Sequence, residues 1–530
     1  MLSLVAVWIG VTVTDRSRPS ALGASPRPGS SSTPSAVDAR GTPPPLVEAL
    51  PRAPTAPVPV FADFPRTLAW LVPRSADLRS VALPSAPPSK IPGQTPDHAP
   101  RWFFVGADGS AICACTELGL PESPGNVLHL SRYDPTGVLV GEVAIPDWPV
   151  AVVPNRTLAD AAIDPTGQAI YVVSAMLGGD GWSVLLDRFA ANGPPARASI
   201  VVATGLDEPE PGFSADVRLW IASDGSVARI RLAAEPQFED APSALTNTWT
   251  VPISHATFGI AEHVARAPGT FVDPRCFAEG WATPVDFVTL CSISVPGQDN
   301  DALVVRVVSA DGSANEVRLG PAGWDFGWLI DGSAGLVYLW APDFQHLYRV
   351  EVPSLRVSDR ELPIPARPLG PIVLEAAPPQ TLASRTAWQP RPLARPNFDP
   401  VMPSSLAGAP DGTIIYAAGF DRPSDLGKPA DPFGQPVRRS TGVWLLDSTT
   451  LAIVGHWLPV ADYTALGLTP GGRFLMASGP ASIDAEALSP DAPSVLAFHD
   501  VVDGVAVLVI RKRTDPLGWP PQFVVPGPYP

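Results

Sequence analysis

Few residues in this chain combine a reactive type with a useful spacing. His255, Glu262 and His263 are the one grouping of imidazole and carboxylate able to hold a metal ion, but their spacing fits no ligand motif and a solvated loop is the stronger reading. Asp299-Asn300-Asp301 offers oxygen ligands, yet lacks the alternating acidic positions, glycine and final glutamate of a calcium loop. Asp207 and Glu208 stand in an acidic, proline-flanked stretch, so they read first as a solvated loop and second as a binding element. Cys276 and Cys291 would face each other across a hairpin centred near residues 283 and 284. In an oxidising compartment such a pair can bond; two buried thiols are the equal alternative. Cys113 and Cys115 lie two apart on one strand with no second cysteine pair to complete a zinc site. The chain has no nucleophile elbow, phosphate loop, dinucleotide fingerprint or His-Glu-Xaa-Xaa-His helix. No catalytic residue is assigned, and no cofactor or metal is expected.

The elements that would position these residues are short strands joined by rigid turns. Leu158–Ser174 reads as strand, turn, strand around Asp164-Pro165-Thr166-Gly167. Asp at the first place, Pro with its fixed φ at the second and Gly at the fourth suit a type I turn. The unit returns at Ser405–Gly419 and Ala465–Gly479. Seven such repeats, each divisible into strands a to d, start near Arg101, Leu158, Phe213, Thr270, Trp324, Val401 and Ala461. A four-stranded unit repeating every 40 to 60 residues or so cannot bury both faces alone, so the units must stack. The expectation is an all-β chain, a β-propeller of seven four-stranded blades over residues 67–510, with eight the alternative. Residues 67–84 would complete a closing blade, and 366–400 are an irregular proline-rich insertion.

In such a fold the a–b and c–d turns share one face of the ring and the b–c and d–a links share the other. The tight turns fall in the first class. The long segments 174–182, 205–213, 253–270, 366–400, 420–441 and 479–493 fall in the second, and 234–246 is the exception. Long loops on a rigid scaffold are where binding residues gather. Trp148, Trp182 and Trp444 lie near strand ends on that side, and Arg438 and Arg439 lie in 420–441. The aromatics would anchor a sugar, peptide or partner surface, or else simply pack between blades.

Composition narrows the function. The 67 prolines and 17% charged residues favour strands and turns over long helices. Net charge is −16, concentrated after residue 100, which disfavours nucleic acid as a partner. Leu2–Val13 is an apolar run too short for a bilayer span of roughly 20 residues but of the length of a signal-peptide core. No basic segment precedes it, and Arg16 and Arg18 follow it. Residues 1–14 are therefore expected to serve export or tethering. Residues 15–66, rich in Pro and Ser, are expected to be a disordered linker. Residues 511–530 form a tail.

Gly442–Ser478 resembles a repeat of the YVTN or quinoprotein-amine-dehydrogenase-like propellers. Asp447 and Thr450 match that family's turn between strands c and d, and Pro470 and Gly472 its turn between a and b. The match covers about three of the blades. No blade spells the YVTN tetrapeptide, and Tyr171-Val172-Val173 comes nearest. The resemblance implies a propeller and opens two functions. One is a secreted or envelope-tethered module that binds a protein or polymer through its looped face. The other is an enzyme of lactonase or quinoprotein dehydrogenase type, whose carboxylates, Asn or His gather at the central channel. No such ring can be assembled from these residues, so binding is the first reading.

Overall fold

A computed structural model describes most residues between 54 and 513, the stretches outside the description being chiefly 83–99, 118–126, 146–158, 191–196, 207–212, 237–244, 269–275, 294–300, 322–326, 364–404, 421–439 and 481–492. Sheet 1 holds β1 (Val58–Asp63), β2 (Thr67–Val72) and β3 (Asp77–Ala82). Sheet 2 holds β4 (Pro100–Val105), β5 (Ala111–Glu117), β6 (Val127–Tyr133) and β7 (Leu139–Ile145). Sheet 3 holds β8 (Ala159–Ile163), β9 (Ala169–Gly178), β10 (Gly181–Ala190) and β11 (Arg197–Leu206). Sheet 4 holds β12 (Phe213–Ile221), β13 (Val227–Pro236), β14 (Leu245–Ser254), the short β15 (Thr257–Phe258) and β16 (Glu262–Pro268). Sheet 5 holds β17 (Cys276–Trp281), β18 (Phe287–Ile293), β19 (Ala302–Val308) and β20 (Ala314–Pro321). Sheet 6 holds β21 (Gly327–Asp331), β22 (Leu336–Ala341), β23 (His346–Glu351) and β24 (Arg356–Glu361). Sheet 7 holds β25 (Leu406–Gly408), β26 (Ile414–Phe420), β27 (Ser440–Asp447) and β28 (Ile453–Trp457). Sheet 8 holds β29 (Ala465–Leu468), β30 (Phe474–Pro480), β31 (Pro493–Asp500) and β32 (Ala506–Arg513).

Turn chemistry explains why the chain reverses where it does. In four links the first carbonyl accepts a hydrogen bond from the N–H of a glycine three residues on: Asp134 from Gly137, Ala222 from Gly225, Ala409 from Gly412 and Thr469 from Gly472, all at 2.8–2.9 Å. Those glycines have φ of 69–78°, a region costly for any residue with a Cβ. Aspartates finish the turns. Asp134 Oδ1 accepts from Thr136 N, Thr136 Oγ1 and Val138 N at 2.7–2.9 Å. Asp447 Oδ1 serves Thr449 N, Thr450 N and Thr450 Oγ1 at 2.7–3.1 Å. Gly412→Ala should cost about 1 kcal/mol, since the φ penalty acts alone there; a Cβ at that site meets nothing within 4 Å. Gly137→Ala should cost roughly 3 kcal/mol, because its Cβ would also lie 2.7–2.8 Å from the Trp70 ring. Urea unfolding of both variants checks the difference, and equal costs would contradict the seating of Trp70 against that turn.

Consecutive sheets pack face to face. Trp70 of sheet 1 lies 5.1 Å from Tyr133 of sheet 2, ring centre to ring centre. Phe104, Ile112 and Leu130 of sheet 2 share a core with Ile170 and Val172 of sheet 3. The same holds for sheets 3 and 4 (Val184, Leu186 against Val217, Ile230), 5 and 6 (Leu290, Val305 against Leu339, Val350), 6 and 7 (Trp340, Leu347 against Ile415, Leu446), and 7 and 8 (Tyr416, Val443 against Leu475, Val495). The first strands of successive sheets are neighbours: β8 touches β12, β17 touches β21, β21 touches β25, and β25 touches β29. The last strands are the wet edges, with β20 and β24 largely exposed. Antiparallel meanders stacked flank to flank, first strand inward and fourth strand outward, make a β-propeller.

The seven expected repeats are sheets 2 to 8, and sheet 1 is an additional three-stranded sheet. It begins at Val58, inside the stretch 15–66 assigned to the linker, because Val58, Val60 and Phe61 pair with Leu71, Ala69 and Leu68. Sheet 4 also corrects the reading. Residues 253–270 are not one long d–a loop, because Glu262–Pro268 is the fourth strand, paired with β14. The link 237–244 therefore joins strands b and c and is no exception to the loop rule. Residues 174–182 are not a loop either: β9 and β10 stay paired through Gly178 and Gly181.

Candidate functional site

The a–b links of sheets 2 to 8 are all as short as 282–286 or shorter, and the c–d links never exceed 255–261. The b–c and d–a links include 118–126, 146–158, 421–439, 481–492 and 362–405. The a–b and c–d side of the scaffold is thus plain, and nearly all the extra chain length falls in the b–c and d–a links.

The plain rim consumes its own carboxylates. Hydrogen bonds from the Ser226 side chain and then its N–H hold Asp224 below the usual carboxylate range. Thr413, backbone first and hydroxyl second, does the same for Asp411, and the Thr450 hydroxyl and N–H do so for Asp447. A carboxylate that stays ionised and spends its lone pairs on its own turn cannot serve as a general acid. On the innermost strands, Asp160 of β8 accepts the Leu219 N–H of β12 at 2.8 Å through Oδ2 and the Ala161 N–H at 2.9 Å through Oδ1. This carboxylate ties two sheets together through backbone donors.

Of the residues singled out by sequence, Trp148, Asp207, Glu208, His255, Arg438 and Arg439 lie outside the described residues. Trp182 opens β10 and is buried among Val184, Trp249 and Val251 between sheets 3 and 4, so it is core rather than anchor. Trp444 is likewise buried, stacked on His456 with ring centres 4.0 Å apart. Glu262 and His263 lie on the outer strand β16. Glu262 is exposed, while His263 Nε2 meets Asn247 Oδ1 at 3.2 Å beside the Trp249 ring. No group of three or more metal-binding side chains occurs among the described residues. Cys291 is disulfide-bonded, and its register partner across β17 and β18 is Cys276.

Sequence reasoning passed over one polar assembly inside the core. Tyr463 and His499 are both fully buried, 36 positions apart, with Tyr463 OH 2.8 Å from His499 Nε2. His499 Nδ1 lies 3.1 Å from the Gly504 carbonyl, so Nδ1 carries the proton and Nε2 accepts from the tyrosine. Val460 N–H donates to the same tyrosine oxygen at 3.2 Å. Burial holds the imidazole pKa down at about 4. Its partners are all structural, and Trp457 covers one ring face at 5.4 Å.

No family model and no curated protein matches the chain. Among solved structures it is similar to an oligogalacturonate lyase in complex with manganese (10% identity, 88% of this chain and 98% of that chain, TM-score 0.34). It is also similar to a putative 6-phosphogluconolactonase from Bacteroides fragilis (11%, 87% and 96%, TM-score 0.33). A third is the WD40 domain of SCAP from fission yeast (10%, 78% and 86%, TM-score 0.33). These neighbours include a lyase, a putative lactonase and a WD40 domain, and nothing about activity follows from them.

Proposed function

We propose that this β-propeller is a binding module that acts outside the cytoplasm, engaging a protein or polymer through the rim formed by its b–c and d–a links. The observation that carries this reading is the uneven distribution of chain length, which falls in the b–c and d–a links, 421–439 and 481–492 among them. The bonded Cys291 supports an oxidising compartment. The acidic chain disfavours nucleic acid, and the N-terminal apolar run would bring the chain to the membrane for export or tethering.

The test replaces 421–439 and 481–492 with short Asn-Gly turns in the full chain and compares crosslinked partners in the native cells. A specific partner should be captured by the parent and lost from the shortened chain, while both show the same thermal unfolding. A control with the plain-rim turn 501–505 altered should keep the partner. Unchanged capture after shortening would overturn the reading, as would a stoichiometric metal or redox cofactor in purified protein whose removal abolishes an activity.

A further inference from the structure

The seam between sheets 4 and 5 differs from its neighbours. On the side of sheet 4 that meets sheet 3, alternate residues such as Val217, Ile230 and Val251 are aliphatic. The opposite side, which meets sheet 5, carries Arg229 and Arg231 two apart on β13. Register sets Arg231 between Arg218 and Thr248, and Arg229 between Trp220 and Thr250. Arg231 is only 2% exposed. Its guanidinium carbon lies 4.3 Å from the centre of the Phe287 ring on β18, so it points into the seam.

Buried charge without a counter-charge is among the costliest features a protein can carry, and one aromatic face returns only a fraction of the lost hydration. Yet Arg231 Nε and Nη1 have no hydrogen-bond partner, nor do Arg229 Nε and Thr250 Oγ1. Burial alone weakens the hold of Arg229 on its proton. Glu262 lies opposite Thr250 in register, but it is exposed and makes no ion pair with either arginine among the described residues. Four unmet groups, three of them on the guanidinium forks of Arg229 and Arg231, therefore lie on neighbouring register positions of one face of sheet 4. Guanidinium forks with a neighbouring hydroxyl match the oxygens of an oxyanion better than a spherical halide.

We propose that Arg229 and Arg231 hold a small oxyanion, of phosphate, sulfate or carboxylate type, within the seam between sheets 4 and 5. The ion supplies the missing counter-charge and fastens the two sheets together. This site is internal and independent of the looped rim.

The experiment uses the full chain, dialysed exhaustively into a buffer free of oxyanions. Equilibrium dialysis with radiolabelled inorganic phosphate, and competition by sulfate, acetate and chloride at fixed ionic strength, reads binding directly. Saturable uptake of a single ion per chain is expected, displaced by sulfate or acetate and not by chloride, with the melting temperature rising as the site fills. Acetate displacing better than sulfate would assign a carboxylate, and the reverse a tetrahedral ion. Arg231→Met should weaken uptake by about tenfold or more and remove the phosphate-dependent rise in melting temperature. In oxyanion-free buffer this variant should melt no lower than the parent, because it sheds an unpaired charge. Arg229→Gln gives a second reading if the first variant fails to fold. Absence of saturable uptake by the parent, or uptake unchanged in both variants, overturns the proposal.

Discussion

Trp340→Ala is expected to lower the unfolding free energy by roughly 4 kcal/mol or more, within the range for truncating a buried tryptophan plus an orphaned acceptor. Trp340 is fully buried in the core shared by sheets 6 and 7. Its indole N–H donates to the Ala418 carbonyl of β26 at 2.9 Å, and nearby Tyr338 OH donates to the Ser448 carbonyl at 3.0 Å. Between these sheets runs the link 362–405, too long to hold them together by itself. The side chains must do that, and removing the largest leaves a cavity and a carbonyl without its donor. Trp340→Phe separates the two terms: it keeps most of the volume and should cost about 1–3 kcal/mol, chiefly for the orphaned carbonyl. Denaturant midpoints measured with an unchanged slope would check both. A cost below about 1 kcal/mol for the alanine variant would mean that sheets 6 and 7 are not fastened here.

The second large effect is acid sensitivity from His499. The unfolded chain takes up a proton near the ordinary histidine pKa of 6.5, whereas the buried ring does so only at about 4. Between those values the unfolded state binds more protons, so stability rises with pH. The contribution is fully present above pH 6.5 and is lost as pH falls through the window to 4. At about 1.4 kcal/mol per pH unit, the loss sums to roughly 3 kcal/mol. His499→Gln, neutral throughout, should start less stable at pH 7 yet show a flatter profile from pH 6.5 to 4. Tyr463→Phe should cost about 1–3 kcal/mol at pH 7 by stranding His499 Nε2 and Val460 N–H. Unfolding curves across that pH range decide the matter: equal slopes for parent and His499→Gln would show that the ring does not titrate as buried.

The looped rim was legible in the sequence through turn chemistry, because Pro-Gly and Asp-Gly punctuation marks the short links and leaves the long ones by subtraction. Particular contacts on it were not. Trp182 looks like a surface anchor when only its nearness to a strand end is known, but the extended hairpin of β9 and β10 carries it into the core between sheets 3 and 4. The fourth strand of sheet 4 was overlooked because an outermost strand buries little and needs no apolar alternation: Glu262, His263 and Val264 are all exposed. A signal for the arginine seam was present, in that charges at Arg229 and Arg231 alternate with Ile230 and Leu232 on a central strand that must be covered on both faces.

By itself the sequence determined the all-β character, the repeat and most strands of its seven units, because strands and tight turns are set by residues within a few positions of one another. Only the tertiary structure decided which faces meet, that Tyr463 reaches His499 across 36 positions, and that Arg231 comes to lie on Phe287. Contacts between stacked sheets join distant stretches of chain and impose no spacing that a local pattern could carry.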